Sequence, residues 1–312
     1  MAMNLVSSAS PHVHSGASSR RLMADVIIAL LPAAAASVVL FGLKALWIIL
    51  VCVAAAVVSE FTYNAVTERE QSVGDLSAVV TGLLLALNLS TNVPLWQCAV
   101  GAVFAIVVVK CLFGGMGHNF ANPAITGRVF MILAFSAVAG GANPIIGSAA
   151  DAVSSATPLE LISQGSTDAL PALKDMLLGL RGGTIGETCI VALLAGGLYL
   201  IFRKVIKWYI PAIFIATVFA GAFAVTRSVD LALYSILSGG LVLGAFFMAT
   251  DYVTTPIHAK GRMLFALGCG VITVLIRFVF SYPEGVSFSI LFMNILTPWI
   301  DKLTRNRPLG GV

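Results

Sequence analysis

Two polar segments interrupt an otherwise apolar chain, and both contain residue types able to do chemistry. The first is Phe113-Gly-Gly-Met-Gly-His118-Asn119-Phe-Ala-Asn122-Pro-Ala124. Its imidazole and carboxamides supply donors and acceptors that are costly at membrane depth unless they are partnered. Three glycines in four residues let backbone approach a ligand or a helix without Cβ obstruction. A tight helix-to-helix turn capped by Asn and Pro accounts for the same residues. The second segment is Asp151-Ala-Val-Ser154-Ser155-Ala156-Thr157-Pro-Leu159. It clusters hydroxyls ahead of a proline, and a helix cap for residues 158–163 explains that arrangement. No His stands beside Thr157 to act as a base, so nucleophilic catalysis has little support and no catalytic residue is assigned. Metal chemistry is equally unsupported: Cys52, Cys98, Cys111, Cys189 and Cys269 fall singly in apolar runs without CxxC pairing.

The elements that position these segments follow from composition. Of 312 residues, 59% are hydrophobic and 10% charged, against roughly 25% charged in a soluble domain. Mean hydropathy of +0.98 extends over the whole chain, which excludes a secreted globular protein, a disordered chain and a coiled coil. A formal charge of +4 with no basic block longer than two residues also excludes nucleic-acid binding. The pattern predicts an all-α polytopic membrane protein. A spanning helix needs about 20 apolar residues, and ten stretches qualify: 22–42, 46–65, 75–91, 95–112, 125–141, 184–202, 208–226, 231–250, 262–280 and 286–300.

Lys and Arg are retained on the cytoplasmic side of short loops. With the N-terminus inside, ten spans place 13 of the 18 basic residues, Lys110 and Arg128 among them, at the cytoplasmic face and leave Lys44, Lys174, Arg181, Arg227 and Arg277 outside. Both termini are then cytoplasmic, and the long connection lies on the outer face. The chain also repeats itself: Gly82 to Pro94 lies over Gly244 to Pro256 at an offset of 162, and Phe41 to Trp47 over Phe202 to Trp208 at 161. After an odd number of helices the second copy starts on the opposite side, which predicts two inverted five-helix repeats with a site between them. The organisation is a flexible cytoplasmic tail (1–19), a first repeat (20–141), an outer loop (142–183), a second repeat (184–300) and a cytoplasmic tail (301–312). Asp25, Glu60, Asp75, Glu187 and Asp251 fall at or near span ends, where a carboxylate is a solvated anchor or part of an ion path.

Asp151-x-x-Ser-Ser-Ala-Thr157 resembles the flavinylation motif, ideally Asp-x-x-Ser-Gly-Ala-Thr, of the RnfD/NqrB family, membrane proteins of the Rnf complex and of the sodium-translocating NADH:quinone oxidoreductase. The glycine-rich Asn-Pro-Ala stretch, the opening residues from Arg21 to Pro32 and the two-half organisation extend the resemblance from about residue 20 to the C-terminus. A short N-terminal tail favours the Rnf branch, and Ser155 departs from the family's glycine. The resemblance implies FMN joined to Thr157 by a phosphoester, installed by a separate flavin transferase. Asp151, Ser154, Ser155 and Ala156 would complete its recognition motif, with His118, Asn119 and Asn122 as further cofactor-binding candidates. It also allows a non-covalent riboflavin. The implied activity is that of one component of an ion-translocating ferredoxin:NAD oxidoreductase in the cell membrane, relaying electrons coupled to movement of Na+ or H+. With neither a Gly-x-Gly-x-x-Gly fingerprint nor a ferredoxin-like cysteine run, ferredoxin and NAD must dock on other membrane and peripheral Rnf subunits, and this chain should be inactive alone. The rival readings are an inverted-repeat channel or solute transporter without flavin, and a structural anchor for redox partners.

Overall fold

The computed structural model describes residues 18–135, 157–163, 170–280 and 284–305. Among them all regular structure is helical. Residues 1–17 and 306–312 of the two expected tails and half of the 142–183 connection lie outside the described residues; the expected C-terminal tail starts within a helix, since 301–304 are helical.

The first five apolar stretches form α1 (Ser19–Phe41), α2 (Leu43–Val66), α3 (Ser77–Leu87), α4 (Leu95–Val103, continuing in π geometry over Phe104–Cys111) and α5 (Pro123–Ala134). Two short helices follow, α6 (Pro158–Ser163) and α7 (Leu173–Leu178). The rest comprises α8 (Ile190–Phe202), α9 (Tyr209–Thr226), α10 (Val229–Leu237), α11 (Leu241–Leu243, continuing in π geometry over Gly244–Met248), α12 (Ala259–Phe278) and α13 (Val286–Thr304). Each of the ten expected stretches therefore holds helix. Four helices, α1, α2, α9 and α12, are long and apolar enough to cross a membrane, and α10 with α11 makes a fifth candidate bent by 64°.

Among the shorter apolar helices, α3 is enclosed by the bundle rather than by lipid. The 11-residue α3 rises only about 16 Å, half a hydrocarbon core, and ten of its residues are buried. A helix that stops inside a bundle must find partners there for its last carbonyls. Ile185 N donates to Leu89 O at 2.9 Å and Gly186 N to Leu87 O at 2.7 Å. The bent α10–α11 pair has the same need, and Arg277 meets it by donating to Ser235 O at 2.7 Å and Ser238 O at 3.4 Å. The two half-length helices meet near their C-terminal ends, where Asn88 Nδ2 contacts Met248 Sδ at 3.6 Å.

Packing follows the same order in both groups of five. In the first, α2 lies on α3 and α4; in the second, α9 lies on α10 and α12; α1 against α8 joins the groups. The core between them is filled by Leu30, Ile48, Leu85, Leu87, Ile106, Ile125, Phe214 and Phe265. The periphery stays apolar, with Val39, Val58, Phe61 and Leu198 exposed, as a lipid-facing surface requires. All four tryptophans, Trp47, Trp96, Trp208 and Trp299, are also exposed, the side chain favoured where hydrocarbon meets headgroup.

Gly82 fixes the closest approach of α3 to α2. A Cβ there would sit 2.8 Å from both Cys52 O and Val53 Cα, backbone atoms that cannot move aside. Gly82→Val should lower stability by at least the ~1–3 kcal/mol of an overpacked core and deplete the monodisperse fraction in detergent. Gly74→Ala, where nothing lies within 4 Å, should leave both the melting midpoint and the elution profile unchanged.

Candidate functional site

Thr157 forms a reciprocal cap with Glu160. Thr157 N donates to Glu160 Oε2 at 2.7 Å, and Glu160 N donates to Thr157 Oγ1 at 3.2 Å. The local sequence Thr-Pro-Leu-Glu dictates this: a hydroxyl at the N-cap, proline at the first helical position and Glu three residues after the cap. The resulting helix covers the expected residues, Pro158–Ser163. Asp151, Ser154, Ser155 and Ala156 lie outside the described residues. The short helix is seated by Leu159, which is buried and packs where the chain bends at Gly239. A Cβ on Gly239 would meet Leu159 Cδ1 at 2.7 Å and Arg277 Nη2 at 3.0 Å. In the cap, Oγ1 accepts, so joining a group to that oxygen removes no hydrogen bond that it donates there.

The glycine-rich segment works differently from expectation. Gly114, Gly115 and Gly117 have φ of +117°, +95° and +98°, the left-handed region that favours glycine. Nothing lies within 4 Å of a Cβ built on Gly115 or Gly117, and Gly114 meets only the side chain of His118. These glycines are needed for backbone conformation rather than for close approach. His118 is exposed and Asn119 half-buried; the structure does not bring them to Thr157. Asn122 is buried and caps α5, accepting from Ala124 N at 3.0 Å and Ile125 N at 3.3 Å, while its Nδ2 donates to Met248 O at 3.4 Å. The turn-and-cap account of this segment is the one its geometry supports.

Asn122 also borders a cavity of about 80 Å³, partly open to solvent, together with Ser77, Thr81, Phe246, Thr250 and Asp251. That volume is well short of the roughly 300–1,000 Å³ of small-molecule pockets, although apolar walls with a few polar groups are their usual lining. Asp251 accepts from Thr254 Oγ1 at 3.0 Å and Val253 N at 3.4 Å. Burial pushes its carboxyl up, and these bonds oppose the rise.

Three of the carboxylates expected as solvated anchors are buried and partnered instead. Glu60, 1% exposed, pairs with Lys110, 2% exposed. Lys110 Nζ lies 2.8 Å from each carboxylate oxygen and 2.6 Å from Ser77 Oγ. Asp25 accepts from Tyr199 Oη at 3.1 Å and Arg203 Nη2 at 3.2 Å. Glu187 accepts from Thr184 N at 3.0 Å, and its backbone oxygen takes Arg181 Nη2 at 3.0 Å. Lys110 and Arg128, expected at the cytoplasmic face, are both buried and each meets a carboxylate, Arg128 bonding Asn88 and Glu284. Burial pushes the Glu284 carboxyl up; Arg128 opposes this and Glu187 adds to it. Sequence reasoning missed this Arg128–Glu284 pair, and the available signal was a charge inside an apolar stretch.

Residues 6–310 match the model of the NQR2, RnfD, RnfE family. Among relatives, the subunit lettered D in the Na(+)-translocating ferredoxin:NAD(+) oxidoreductase complex of Acetobacterium woodii is 45% identical over 310 residues, covering 99% of this chain and 96% of that protein. The subunit of the same letter in the proton-translocating ferredoxin:NAD(+) oxidoreductase complex of Clostridium ljungdahlii is 42% identical over 315 residues, covering 97% and 95%. Its counterpart in the ion-translocating oxidoreductase complex of Halorhodospira halophila is 37% identical over 338 residues, covering 97% and 94%.

The Glu60–Lys110 pair makes a measurable demand. Lys110→Met strands a buried carboxylate and should cost about 3–5 kcal/mol, whereas Lys110→Met with Glu60→Leu should recover most of it. Thermal melting of the two variants in one detergent checks this; equal losses would refute the pairing.

Proposed function

The chain belongs to the NQR2, RnfD, RnfE family, and from that premise we propose that it is the membrane flavoprotein subunit of an Rnf-type ion-translocating ferredoxin:NAD oxidoreductase. The observation that carries the flavin part of this reading is Asp151-x-x-Ser-Ser-Ala-Thr157, ending on a hydroxyl held at the start of a seated helix. Thr157 carries FMN through its Oγ1, and Asp151, Ser154, Ser155 and Ala156 present that oxygen to a flavin transferase. FMN bound there supplies one-electron relay at a site from which it cannot diffuse away. The half-buried position of Thr157 and the acceptor role of Oγ1 support the fit. Glu160 must turn outward on modification, since a phosphate beside its carboxylate places like charges together.

The cavity beside Asn122 suits a second, non-covalent flavin, with Phe246 and Phe247 for the ring system and Thr250 and Asp251 for polar edges. The lining supports this reading, and the cavity of about 80 Å³ must widen to admit a flavin. Charge asymmetry supports a cell-membrane topology with cytoplasmic termini and the Thr157 loop outside, and the matched packing order supports two inverted halves. Under that topology, electrons from cytoplasmic ferredoxin must cross a hydrocarbon core of about 30 Å, too far for one tunnelling step. Carriers on neighbouring subunits are required, and the chain alone does not turn over. Two relatives of similar identity are named for different coupling ions, sodium and the proton, so overall similarity does not set the ion.

The channel reading draws on the half-length helices and the cavity, and one experiment separates the two. With co-expressed flavin transferase, the denatured band should fluoresce as flavin on a gel, and Thr157→Val should abolish that fluorescence while leaving protein yield unchanged. A dark wild-type band supports the channel. FMN found by mass spectrometry on another hydroxyl of the Thr157→Val chain refutes the site.

A further inference from the structure

The corner between α8 and α9 carries a backbone cost that its counterpart in the first group of helices avoids. Where α1 gives way to α2, Gly42 stands at φ +74°, in the left-handed region that suits glycine. The residue 162 positions later, where α8 gives way to α9, is Lys204 at φ +58°. An L side chain is crowded there by its own backbone. The turn itself does not call for lysine, because its bonds run through the main chain. Lys204 N donates to Ile201 O at 2.9 Å and Val205 N to Leu200 O at 2.9 Å, and glycine would make both without strain.

What lysine adds is charge at an exposed corner. Arg203, Lys204 and Lys207 all stand exposed. Asp25 holds Arg203 at 3.2 Å, whereas Lys204 and Lys207 form no ion pair among the described residues. No Asp or Glu occurs between Glu187 and Asp230, so neither helix of the corner offers the lysines a counter-charge. Phe202 and Trp208 bracket the cations, 86% and 65% exposed, and a tryptophan so placed marks the boundary of hydrocarbon and headgroup. Val205 and Ile206 turn inward between the two lysines and are buried, and Tyr252 Oη donates to Val205 O. The corner is pinned from inside, with its cations and rings left outside.

A small anion would use only the cations, and an uncharged lipid only the rings. The combination fits a phosphate ester that carries acyl chains. A zwitterionic headgroup brings its own ammonium against the lysines, and an anionic one does not. We propose that the Phe202–Trp208 corner binds an anionic phospholipid, its phosphate between Lys204 and Lys207 and its acyl chains along Phe202 and Trp208. The site stands independently of any flavin on Thr157.

Native mass spectrometry of the full-length protein, taken from detergent after exposure to equal amounts of phosphatidylglycerol and phosphatidylcholine, tests this. The wild type should retain phosphatidylglycerol in preference. Lys204→Gln combined with Lys207→Gln should cut that retention about tenfold, since each lysine contributes to attraction by an anionic headgroup. Lys204→Gly separates binding from folding. In lipid-free detergent its melting midpoint should rise, because the left-handed strain is gone, while its retention of phosphatidylglycerol falls. A lower midpoint with unchanged retention would assign Lys204 to folding and overturn the proposal. Unchanged retention in the double variant, or equal retention of the two lipids by the wild type, would also overturn it. So would displacement of the lipid by excess inorganic phosphate, which would make the corner a site for a free anion.

Discussion

A backbone that stops halfway across a membrane has no water to receive its last polar groups. That constraint governs the centre of this protein. Both α3 and α11 are half-length, and each ends where only protein can satisfy it. Residues 185 and 186 come in to bond the end of α3, which holds the segment before α8 against the first five helices. Arg277 crosses from α12 to bond the end of α10. Asn122, while capping α5, reaches Met248 O at the end of α11. The bonds from residues 185 and 186 and from Asn122 cross between the two groups of helices, whereas that from Arg277 closes the second group on itself.

Much of this was legible in sequence, and the limits have physical causes. All ten apolar stretches became helix because hydropathy reports burial in any apolar medium. It does not distinguish lipid from protein, so the stretch at 75–91 read as a span although α3 is only 11 residues long. The cap at Thr157 was legible because all of its determinants lie within four residues. Glu60 and Lys110 were not, since 50 positions separate them and only the packed structure reveals that they meet. Gly115 and Gly117 signalled a special backbone correctly, but the same residue type serves close approach and left-handed φ, and sequence does not say which. His118 read as a ligand candidate from its chemistry and from the family resemblance, and it stands exposed.

Charge burial also alters the count from which topology was inferred. Lys110 and Arg128 leave the cytoplasmic tally, and Arg181 and Arg277 leave the outer one, because all four are buried among protein groups. Two residues go from each side, so the asymmetry survives. What changes is its meaning: the charges open to the surroundings are exposed ones such as Arg20, Arg21 and Lys204, whereas the buried ones organise the interior.

The π stretch at the end of α4 has a consequence for how relatives should be aligned. Five-residue hydrogen bonding, as in Leu112 N to Val107 O at 3.0 Å, accommodates one residue more than an α turn of the same rise. An α-helix rotates about 100° per residue, so the surplus residue sets the bearing of Lys110 relative to the helix that carries Glu60. Deleting one position anywhere between 104 and 109 would restore α geometry, leave the hydropathy profile almost untouched, and swing the ammonium group a quarter turn away from its carboxylate. A single-residue gap at this place in an alignment therefore marks a rewired interior rather than a neutral slip.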